Sequence, residues 1–492
     1  MRRLPHFATF VILSCLAGCG EGETDTIRIG IPTRVLTSDP RFASDAQSAR
    51  IVRLLHRAPV RFDANLQPVP DLVRWEMLAP VHYRLTLVAN AVFSNGRPVT
   101  AADVAATYRS VQDQAVASPH RLSIANISTF EVLDERRLDV RLHQPDRLFP
   151  GTLTIGVLAA DQLTDGAVTI GAGNFELVHW SADRVQLARR SDRQMFEFAV
   201  TQDATVRVLK LIAGEIDIAQ GNLPPELFNW AASRSALRAV QVPGSTFSYL
   251  GMNLEDPMLG NLLVRRALAH AIDRETIVRR VFFGTARLAG AVLPPEHWAG
   301  NSTLTGIAYD PEKSRQLLAQ AGLSARRLEL EMKTSTDYFR VRVATILQQQ
   351  LAEVGIDLKV RSYDWGTFYG DVVAGRFQLY GLSWVGLELP TIFRHAFHSA
   401  SLPPGGANRG HFESEVIDHL IEQAESATAV DQQAELYRDV QSQLDRKLPI
   451  VPLWFEDQLV LQGAQVSGYT TDLQGSYTAL QQTYKESAGS EN

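Results

Sequence analysis

The sequence predicts an α/β protein with a mixed or parallel sheet, and residues 310–384 indicate this most clearly. Apolar and polar residues alternate over 328–332, as in a strand with one buried face. A single apolar helical face then runs over 339–354 and stops at Gly355, and alternation returns over 356–360. Strand, helix and strand at this spacing predict a right-handed βαβ crossover.

The first half of the chain is predicted to be rich in strands. Residues 27–31 alternate as a half-buried opening strand, and period-two stretches recur over 137–142 and 176–187. A helix is predicted to begin after Thr100, because Asp103 three residues later completes a capping box and apolar residues follow at helical spacing.

The second half carries further helix signals before the βαβ segment. Residues 262–281 predict two helices joined near Asp273, a residue type that caps helices. Asp310 and Pro311 form a cap and first-turn pair, and Gly322 ends the helix that follows.

The first twenty residues predict an export signal. Two arginines precede a short apolar run over 7–16, and Leu-Ala-Gly then precedes Cys19. The run is too short for the ~30 Å hydrocarbon core of a bilayer, so a cleaved signal is favoured over a membrane-spanning helix. The ending resembles the bacterial lipobox, which predicts a signal peptide at 1–18, a lipidated Cys19 and a polar tether at 19–26. The alternative is an ordinary signal with an incidental cysteine.

Composition excludes several classes of function. The chain has 48 Lys and Arg against 54 Asp and Glu, and it has no basic run, so nothing favours nucleic acid. The only cysteines are Cys15 and Cys19, which excludes a disulfide scaffold and a cysteine-rich metal site. No other run approaches 18 apolar residues, so the rest of the chain is predicted to be soluble and exported.

Signatures of catalysis are weak or missing. The chain has no phosphate-binding G-x-x-x-x-G-K-[ST], no G-x-S-x-G and no H-E-x-x-H. Gly171-Ala172-Gly173 is a lone G-x-G and a very weak dinucleotide signal. His395 and His398 could share a helical face, with His411 nearby, but a pair without a third ligand is more often structural. The sequence therefore predicts a protein that is not an enzyme and has no cofactor or resident metal.

Two tryptophans suggest a binding site. Trp365 and Trp384 flank the strand predicted after the βαβ unit, and Trp384 lies where that strand ends. Ligands of α/β proteins sit beyond the carboxyl ends of strands, whereas core filling is the alternative for any tryptophan.

Five blocks of sequence carry a family resemblance. They occur in order as Arg61-Phe62-Asp63 with 67–72, Phe93-Ser94-Asn95-Gly96-Arg97-Pro98-Val99-Thr100-Ala101-Ala102-Asp103-Val104, 171–175 with 178–180, Val264-Arg265-Arg266-Ala267-Leu268 with Ala271-Ile272-Asp273-Arg274, and Tyr309-Asp310-Pro311-Glu312-Lys313-Ser314. Together they resemble solute-binding protein family 5 of bacterial ABC importers, the dipeptide- and oligopeptide-binding lipoproteins. The matches run from about residue 27 to 485.

The resemblance implies a two-lobed, periplasmic-binding-protein type II-like fold with an extra subdomain, the cluster C type. Chain crossings are expected near 245–255 and 450–456, where Pro243-Gly244, Pro449 and Pro452 predict turns or breaks. A hinge at the two crossings would let the lobes close on a ligand. The implied units are lobe I at 27–253 with an inserted subdomain at about 55–165, lobe II at 254–452 and a return to lobe I at 453–492.

The resemblance also implies a site, with one departure. Peptide-binding members carry a Trp, a second Trp nineteen residues later, and three residues after that an Asp that holds the free amine. Trp365 and Trp384 keep the spacing, but the third position is Leu387 and the nearest acid is Glu388. Ser383, Val385 and Gly386 are expected to offer backbone hydrogen bonds. The full set of predicted ligand-binding residues is Trp365, Trp384, Ser383, Val385, Gly386, Glu388, Tyr249 and Asn253.

The predicted function is that of an extracytoplasmic receptor of an ABC importer. A monomer anchored to a bacterial membrane by its lipid would bind a peptide or peptide-like solute between its lobes. It would deliver that solute to a permease and ATPase complex in the cytoplasmic membrane. A nickel, metallophore or other non-peptide binder of the same family is the alternative, and an exported lipid-anchored hydrolase is an alternative of another class.

Overall fold

The computed structural model describes residues 26–88, 90–163, 170–181, 183–323 and 328–486. The predicted signal peptide, Cys19 and all of the predicted tether except Thr26 lie outside the described residues. In the described chain, no helix combines the length and the apolar character needed to cross a membrane.

The helices and strands alternate through the chain, as the sequence predicts for an α/β protein. The α-helices are α1 (Ala46–Leu55), α2 (Ala101–Gln112), α3 (Ala204–Ile212), α4 (Pro225–Ala232), α5 (Leu262–Ala271), α6 (Arg274–Arg280), α7 (Pro311–Gln320), α8 (Tyr338–Glu353), α9 (Trp365–Val373), α10 (Ile392–Phe397), α11 (Glu415–Ser426) and α12 (Val430–Lys447). The strands are β1 (Ile27–Ile31), β2 (Val60–Phe62), β3 (Pro68–Pro70), β4 (Val73–Ala79), β5 (His82–Leu87), β6 (Ile127–Val132), β7 (Arg137–Leu142), β8 (Phe175–Trp180), β9 (Arg184–Arg189), β10 (Met195–Val200), β11 (Ile218–Gln220), β12 (Leu237–Met252), β13 (Ala286–Leu288), β14 (Leu328–Ser335), β15 (Ile356–Tyr363), β16 (Leu379–Trp384), β17 (Ile450–Gly463), β18 (Val466–Ser467) and β19 (Tyr484–Lys485).

One large mixed sheet organises the molecule. Its strand order is β15-β14-β16-β12-β17-β11-β1-β10-β9-β8, and β13 pairs with β17 outside this path. The long antiparallel pair of β12 and β17 lies in the middle and extends, with two register shifts, from Leu237 opposite Gly463 to Gly251 opposite Ile450. A separate four-stranded sheet, β4-β5-β7-β6, packs its own apolar core against α2.

The turns predicted at Pro243-Gly244 and around Pro452 are wrong. Strand β12 continues through Pro243 and Gly244, and its register with β17 shifts between Val242 and Thr246 instead. Proline has no N–H for a ladder hydrogen bond, so a bulge accommodates it inside a strand. A Cβ atom on Gly244 would lie 2.0 Å from the Glu456 carbonyl oxygen, which explains the glycine.

Pro452 lies within β17 at a second irregularity. There Ser248 is opposite Trp454 and Tyr249 is opposite Pro452, so one residue of β17 is left over. Pro449 immediately precedes β17 and ends no strand. Tertiary pairing over a long ladder therefore overrides these local breaker signals.

The predicted βαβ segment is confirmed as parallel pairing. Strand β14 pairs with β15 over its whole length, from Leu328 opposite Ile356 to Ser335 opposite Tyr363. By contrast, β14 pairs with β16 only at Met332 opposite Leu379 and at Lys333 opposite Tyr380. The last four residues of β16 therefore pair only with β12 among the described strands.

The predicted helix caps are also confirmed. Thr100 and Asp103 form a capping box at the start of α2. Asp273 caps α6, and Asp310 caps α7 with Pro311 in its first turn. These signals are local in the chain, which is why the sequence is sufficient to identify them.

Gly171 and Gly173 provide close packing for the end of α1. A Cβ atom on Gly171 would lie 1.9 Å from the Leu55 carbonyl oxygen, and one on Gly173 would lie 2.1 Å from that of Leu54. The Gly173 N–H donates to the Leu55 carbonyl oxygen at 2.8 Å. The two glycines thus let the chain pack against the end of α1, where the Gly173 N–H binds a carbonyl oxygen of the last turn. Nothing in their contacts indicates a dinucleotide.

Replacing Gly171 by alanine is expected to destabilise the protein. The added methyl group meets backbone that cannot move away, so the free energy of unfolding should fall by about 1–3 kcal/mol or more. Gly370→Ala is the matched control, because no atom lies within 4 Å of its added Cβ. In helix α9 this control should be neutral or stabilising by up to about 1 kcal/mol. Urea unfolding measures both, and equal stabilities would contradict the packing argument.

Candidate ligand-binding site

Trp384 lies at the carboxyl end of β16, opposite Phe247 of β12. Its indole ring stacks on the Tyr249 ring, with 6.4 Å between the ring centroids and 10° between the planes. The imidazole of His395 meets the indole edge-on at 6.0 Å. Because Tyr249 is diagonal to Trp384 across the two strands, sheet geometry brings the two rings together.

Trp365 begins helix α9 and is 59% exposed. Its ring stacks on the Tyr369 ring one turn later, with 5.4 Å between centroids. The hydroxyl of Tyr369 accepts a hydrogen bond from Arg409 at 3.1 Å. Tyr369 and Arg409 therefore link the two tryptophans that the sequence spacing identifies.

Arg409 lies at the centre of this group. Its guanidinium carbon lies 5.0 Å from the centroid of Trp384 and 5.4 Å from that of Tyr369, within cation–π range. Its Nη1 donates to the Tyr249 hydroxyl at 3.2 Å. Only 8% of the residue is exposed. Burial alone would lower the pKa of Arg409, but the tyrosine oxygens around it raise that pKa, so the side chain stays cationic.

Asn408 holds the loop that presents Arg409. Its side-chain Nδ2 donates to the carbonyl oxygens of His398 and Phe412, and its Oδ1 accepts from the Phe412 N–H. Gly410 follows at a close approach, where an added Cβ would lie 2.5 Å from the Met252 carbonyl oxygen. The sequence analysis missed Arg409, because its burial depends on how this loop folds back against β12.

The two faces of β16 differ in chemistry. The Ser383 hydroxyl lies 2.7 Å from that of Ser248, which donates to Glu456 at 2.9 Å. Arg340 in turn pairs with Glu456 at 3.1 Å. The Ser383 side chain is thus in a polar network, whereas Trp384, one residue later, is in the aromatic group.

The residues after β16 form the edge of the site. Val385 is 72% exposed, and Gly386 has a φ of +71°, a left-handed conformation that favours glycine. Leu387 is only 4% exposed and packs in an apolar core. The Glu388 carboxylate pairs with Arg53 of α1 at 3.3 Å. The carbonyl oxygen of Glu388 is 3.1 Å from His297 Nε2.

Two other predicted residues occupy different positions. Tyr249 belongs to the aromatic group, as described above. The Asn253 amide donates to the Phe377 carbonyl oxygen at 3.2 Å and accepts from the Glu255 N–H at 3.0 Å. Its polar atoms therefore support the local backbone.

A small pocket adjoins the aromatic group. Tyr249, Trp384 and Arg409 line it together with Tyr380, Asn408 and Phe412. The lining combines apolar rings with one cation. Such a lining suits a small solute that has both an apolar part and an anionic part.

The histidines considered as metal ligands have separate partners. His398 lies 3.4 Å from Glu422 and accepts a hydrogen bond from the Ala400 N–H, while His411 pairs with Glu255 at 3.1 Å. Within the described ranges, no group of three or more His, Cys, Asp or Glu residues is placed to hold a metal ion.

Comparison with known proteins identifies the family. The sequence model of the bacterial extracellular solute-binding proteins, family 5, matches residues 68–399. The chain belongs to this family. The family is one of solute-binding proteins, and this membership favours the receptor over the hydrolase among the functions that the sequence suggests.

Individual relatives cover most of the chain. A probable di/tripeptide-binding protein 5 of Pseudomonas aeruginosa is 27% identical over 432 residues, which is 80% of this chain and 81% of the relative. The Helicobacter pylori periplasmic binding protein DppA, solved with the peptide STSA, has a TM-score of 0.75 at 21% identity, covering 94% of this chain and 98% of its own. NikZ of Campylobacter jejuni, solved with Ni(L-His), has a TM-score of 0.76 at 22% identity, covering 94% and 99%. The α/β fold expected from the resemblance is thereby confirmed.

His297 should make the stability of the protein depend on pH. Burial lowers its pKa to about 4, and the same holds for His56. The Ala299 N–H donates to His297 Nδ1, which leaves Nε2 to donate to Glu388, so the ring is neutral. Between pH 6.5 and about 4 the unfolded chain binds more protons, so the free energy of unfolding falls as pH falls.

The expected loss is about 3 kcal/mol for each of these histidines by pH 4. Urea unfolding from pH 7 to pH 4 measures the slope, and His297→Gln should reduce it. His179→Gln is the control, because His179 is exposed on β8. Identical slopes in the wild type and His297→Gln would contradict the assignment of a buried neutral imidazole.

Proposed function

We propose that the protein is an extracytoplasmic receptor that binds a peptide or peptide-like solute beside Trp384. The receptor then delivers it to the permease and ATPase of an ABC importer. The observation that carries the proposal is the unpaired edge of β16 next to the aromatic group. The names of the relatives in Pseudomonas aeruginosa and Helicobacter pylori agree with it.

The edge of β16 suits an extended chain. Beyond Tyr380 the strand has no partner on its β14 side among the described strands, so main-chain groups there remain available. An extended peptide can add to such an edge through main-chain hydrogen bonds, while pockets receive alternate side chains. Val385 and Gly386 follow in the same segment and are exposed to solvent.

The aromatic group supplies the apolar part of the site. Trp365 and Trp384 lie at its two ends, linked through Tyr369 and Arg409. An indole that covers a ligand buries a large apolar area, and such residues commonly dominate binding energy. The exposed ring of Trp365 is available for a contact of this kind.

We also propose the lobes expected from the sequence, with β12 and β17 as the connection between them. Three of the contacts that join residues of the two proposed lobes lie away from β12 and β17: the Trp298 N–H donates to the Asn65 carbonyl oxygen, Arg53 pairs with Glu388, and Arg342 pairs with Glu226. Opening of the cleft would separate such pairs, and ligand binding would favour the closed arrangement.

Native mass spectrometry with a mixture of tripeptides tests the proposal. The wild-type protein is expected to retain tripeptides, and calorimetry with a retained one gives the reference affinity. Trp384→Ala should weaken binding at least about tenfold, because it removes a large aromatic ring from the site.

Trp230→Ala is the matched control. Trp230 is on helix α4, is 44% exposed and has Arg234 over its ring at 4.0 Å, so it reproduces the Trp–Arg pair away from the site. Its replacement should leave the affinity unchanged. Wild-type affinity in Trp384→Ala would show that the site is elsewhere, and no retained peptide would argue against a peptide receptor.

Membrane anchoring through a lipidated Cys19 is part of the same proposal. Cys15 lies inside the apolar run and Cys19 follows Leu-Ala-Gly, so the two cysteines form a natural pair of test and control. Cys19→Ala should release the exported protein into the soluble fraction, whereas Cys15→Ala should leave it in the membrane fraction. Equal membrane retention of both variants would contradict lipidation at Cys19.

A further inference from the structure

Arg409 differs from the other buried arginines of the described chain. Each of the others donates to at least one backbone carbonyl oxygen, and two of them also donate to a carboxylate. These arginines are Arg41, Arg189, Arg207, Arg265 and Arg274. Arg265 is typical, with its guanidinium donating to four carbonyl oxygens. Arg41 and Arg189 thus pair with a carboxylate, and carbonyl oxygens of the fold hold the other three guanidinium groups.

The partners of Arg409 are weaker. Its guanidinium donates to the hydroxyls of Tyr249 and Tyr369 and faces two aromatic rings. In the part of the chain that the structure describes, no Asp or Glu oxygen lies within 4.0 Å of it. Among the described residues, Arg409 thus donates to hydroxyls alone, where the other buried arginines have carbonyl or carboxylate oxygens. A buried cation held in this way has unused capacity for a negative group.

The acids that could have compensated Arg409 are used elsewhere. Leu387 occupies the position where the resemblance leads us to expect an amine-binding Asp, and it is buried in a core. The Glu388 carboxylate is bound by Arg53. Glu456 binds Arg340 and Ser248 on the opposite face of β16. The charged group next to Trp384 is therefore a cation, whereas a site that holds an amine is expected to have an anion.

We infer that Arg409 binds a carboxylate of the solute against Trp384, so that this end of the site receives the anionic end of a peptide. The inference rests on the proposed function and reverses the ligand orientation that the resemblance implies. A planar guanidinium matches a planar carboxylate and can bind it through two parallel hydrogen bonds. The Tyr249 and Tyr369 hydroxyls each accept a hydrogen bond from the guanidinium, and Arg409 lines the pocket together with Asn408.

A purely structural Arg409 is the competing explanation. In that case the cation would only stabilise the tyrosines and Trp384 through its contacts with the rings. The two explanations differ in how the wild-type protein responds to chemical changes at the ends of a peptide. That response can be measured without any substitution in the protein.

The first experiment uses the tripeptide mixture in three forms: with free termini, N-acetylated and C-amidated. We expect the wild-type protein to retain the free and the N-acetylated forms with affinities within about threefold. C-amidation should weaken binding at least about tenfold, because it removes the partner of a buried charge. A second supporting outcome is that the protein retains only tripeptides with Asp or Glu side chains and that amidation does not change their binding. In that case the side chain is the source of the carboxylate.

The second experiment uses variants. Arg409→Gln should bind the free form at least about tenfold more weakly and lose the distinction between free and amidated peptides. Arg409→Lys keeps the charge without the planar fork and should have an intermediate affinity. Arg234→Gln, which removes an exposed arginine stacked on Trp230, is the control and should behave as wild type. Thermal melting confirms that each variant is folded.

The results separate this inference from the proposed function. If acetylation abolishes binding and amidation does not, the amine is recognised and the inference is overturned while the peptide receptor stands. Equal binding of all three forms, unchanged in Arg409→Gln, likewise overturns only the inference. If none of the three forms binds, the proposed function fails, and the inference fails with it.

Discussion

The antiparallel pairing of β12 with β17 is the constraint on which the rest of the structure depends. Strands β11, β1, β10, β9 and β8 continue the sheet from β17, whereas β16, β14 and β15 continue it from β12. Each half of the sheet therefore has its position defined by one long ladder. The site is built on that ladder, since Tyr249 lies on β12 and stacks on Trp384 of the neighbouring strand.

The irregularities of the β12–β17 ladder are related to the site. Two register shifts occur along it, one near Pro243 and one where Tyr249 faces Pro452. A bulge increases the local twist of a strand and changes where the side chains point. The shift between Ser248 and Tyr249 lies in the half of β12 that carries the site, and the shift after Val242 lies directly before that half. In this half the aromatic residues must face one side of the strand and Ser248 the other.

Much of the fold follows from local patterns, while the chemistry of the site depends on distant contacts. The caps at Thr100, Asp273 and Asp310 and the βαβ segment are predicted correctly, because they depend on residues a few positions apart. The predicted turn at Pro243 is wrong, because pairing over many residues outweighs one missing N–H. The spacing of the two tryptophans identifies the ends of the aromatic group, but the loop that places Arg409 between them has no local signature.

The unpaired edge of β16 has a consequence for how specificity can change in such receptors. Main-chain groups along this edge are present whatever side chains the strand carries, so contacts made through them survive most substitutions. Discrimination between solutes then depends on a few side chains from surrounding loops, such as the one at position 409. A loop can exchange a cation for an anion or a neutral residue without disturbing the ladder beneath it. Relatives about one quarter identical in sequence can thus share a scaffold and accept chemically different cargo.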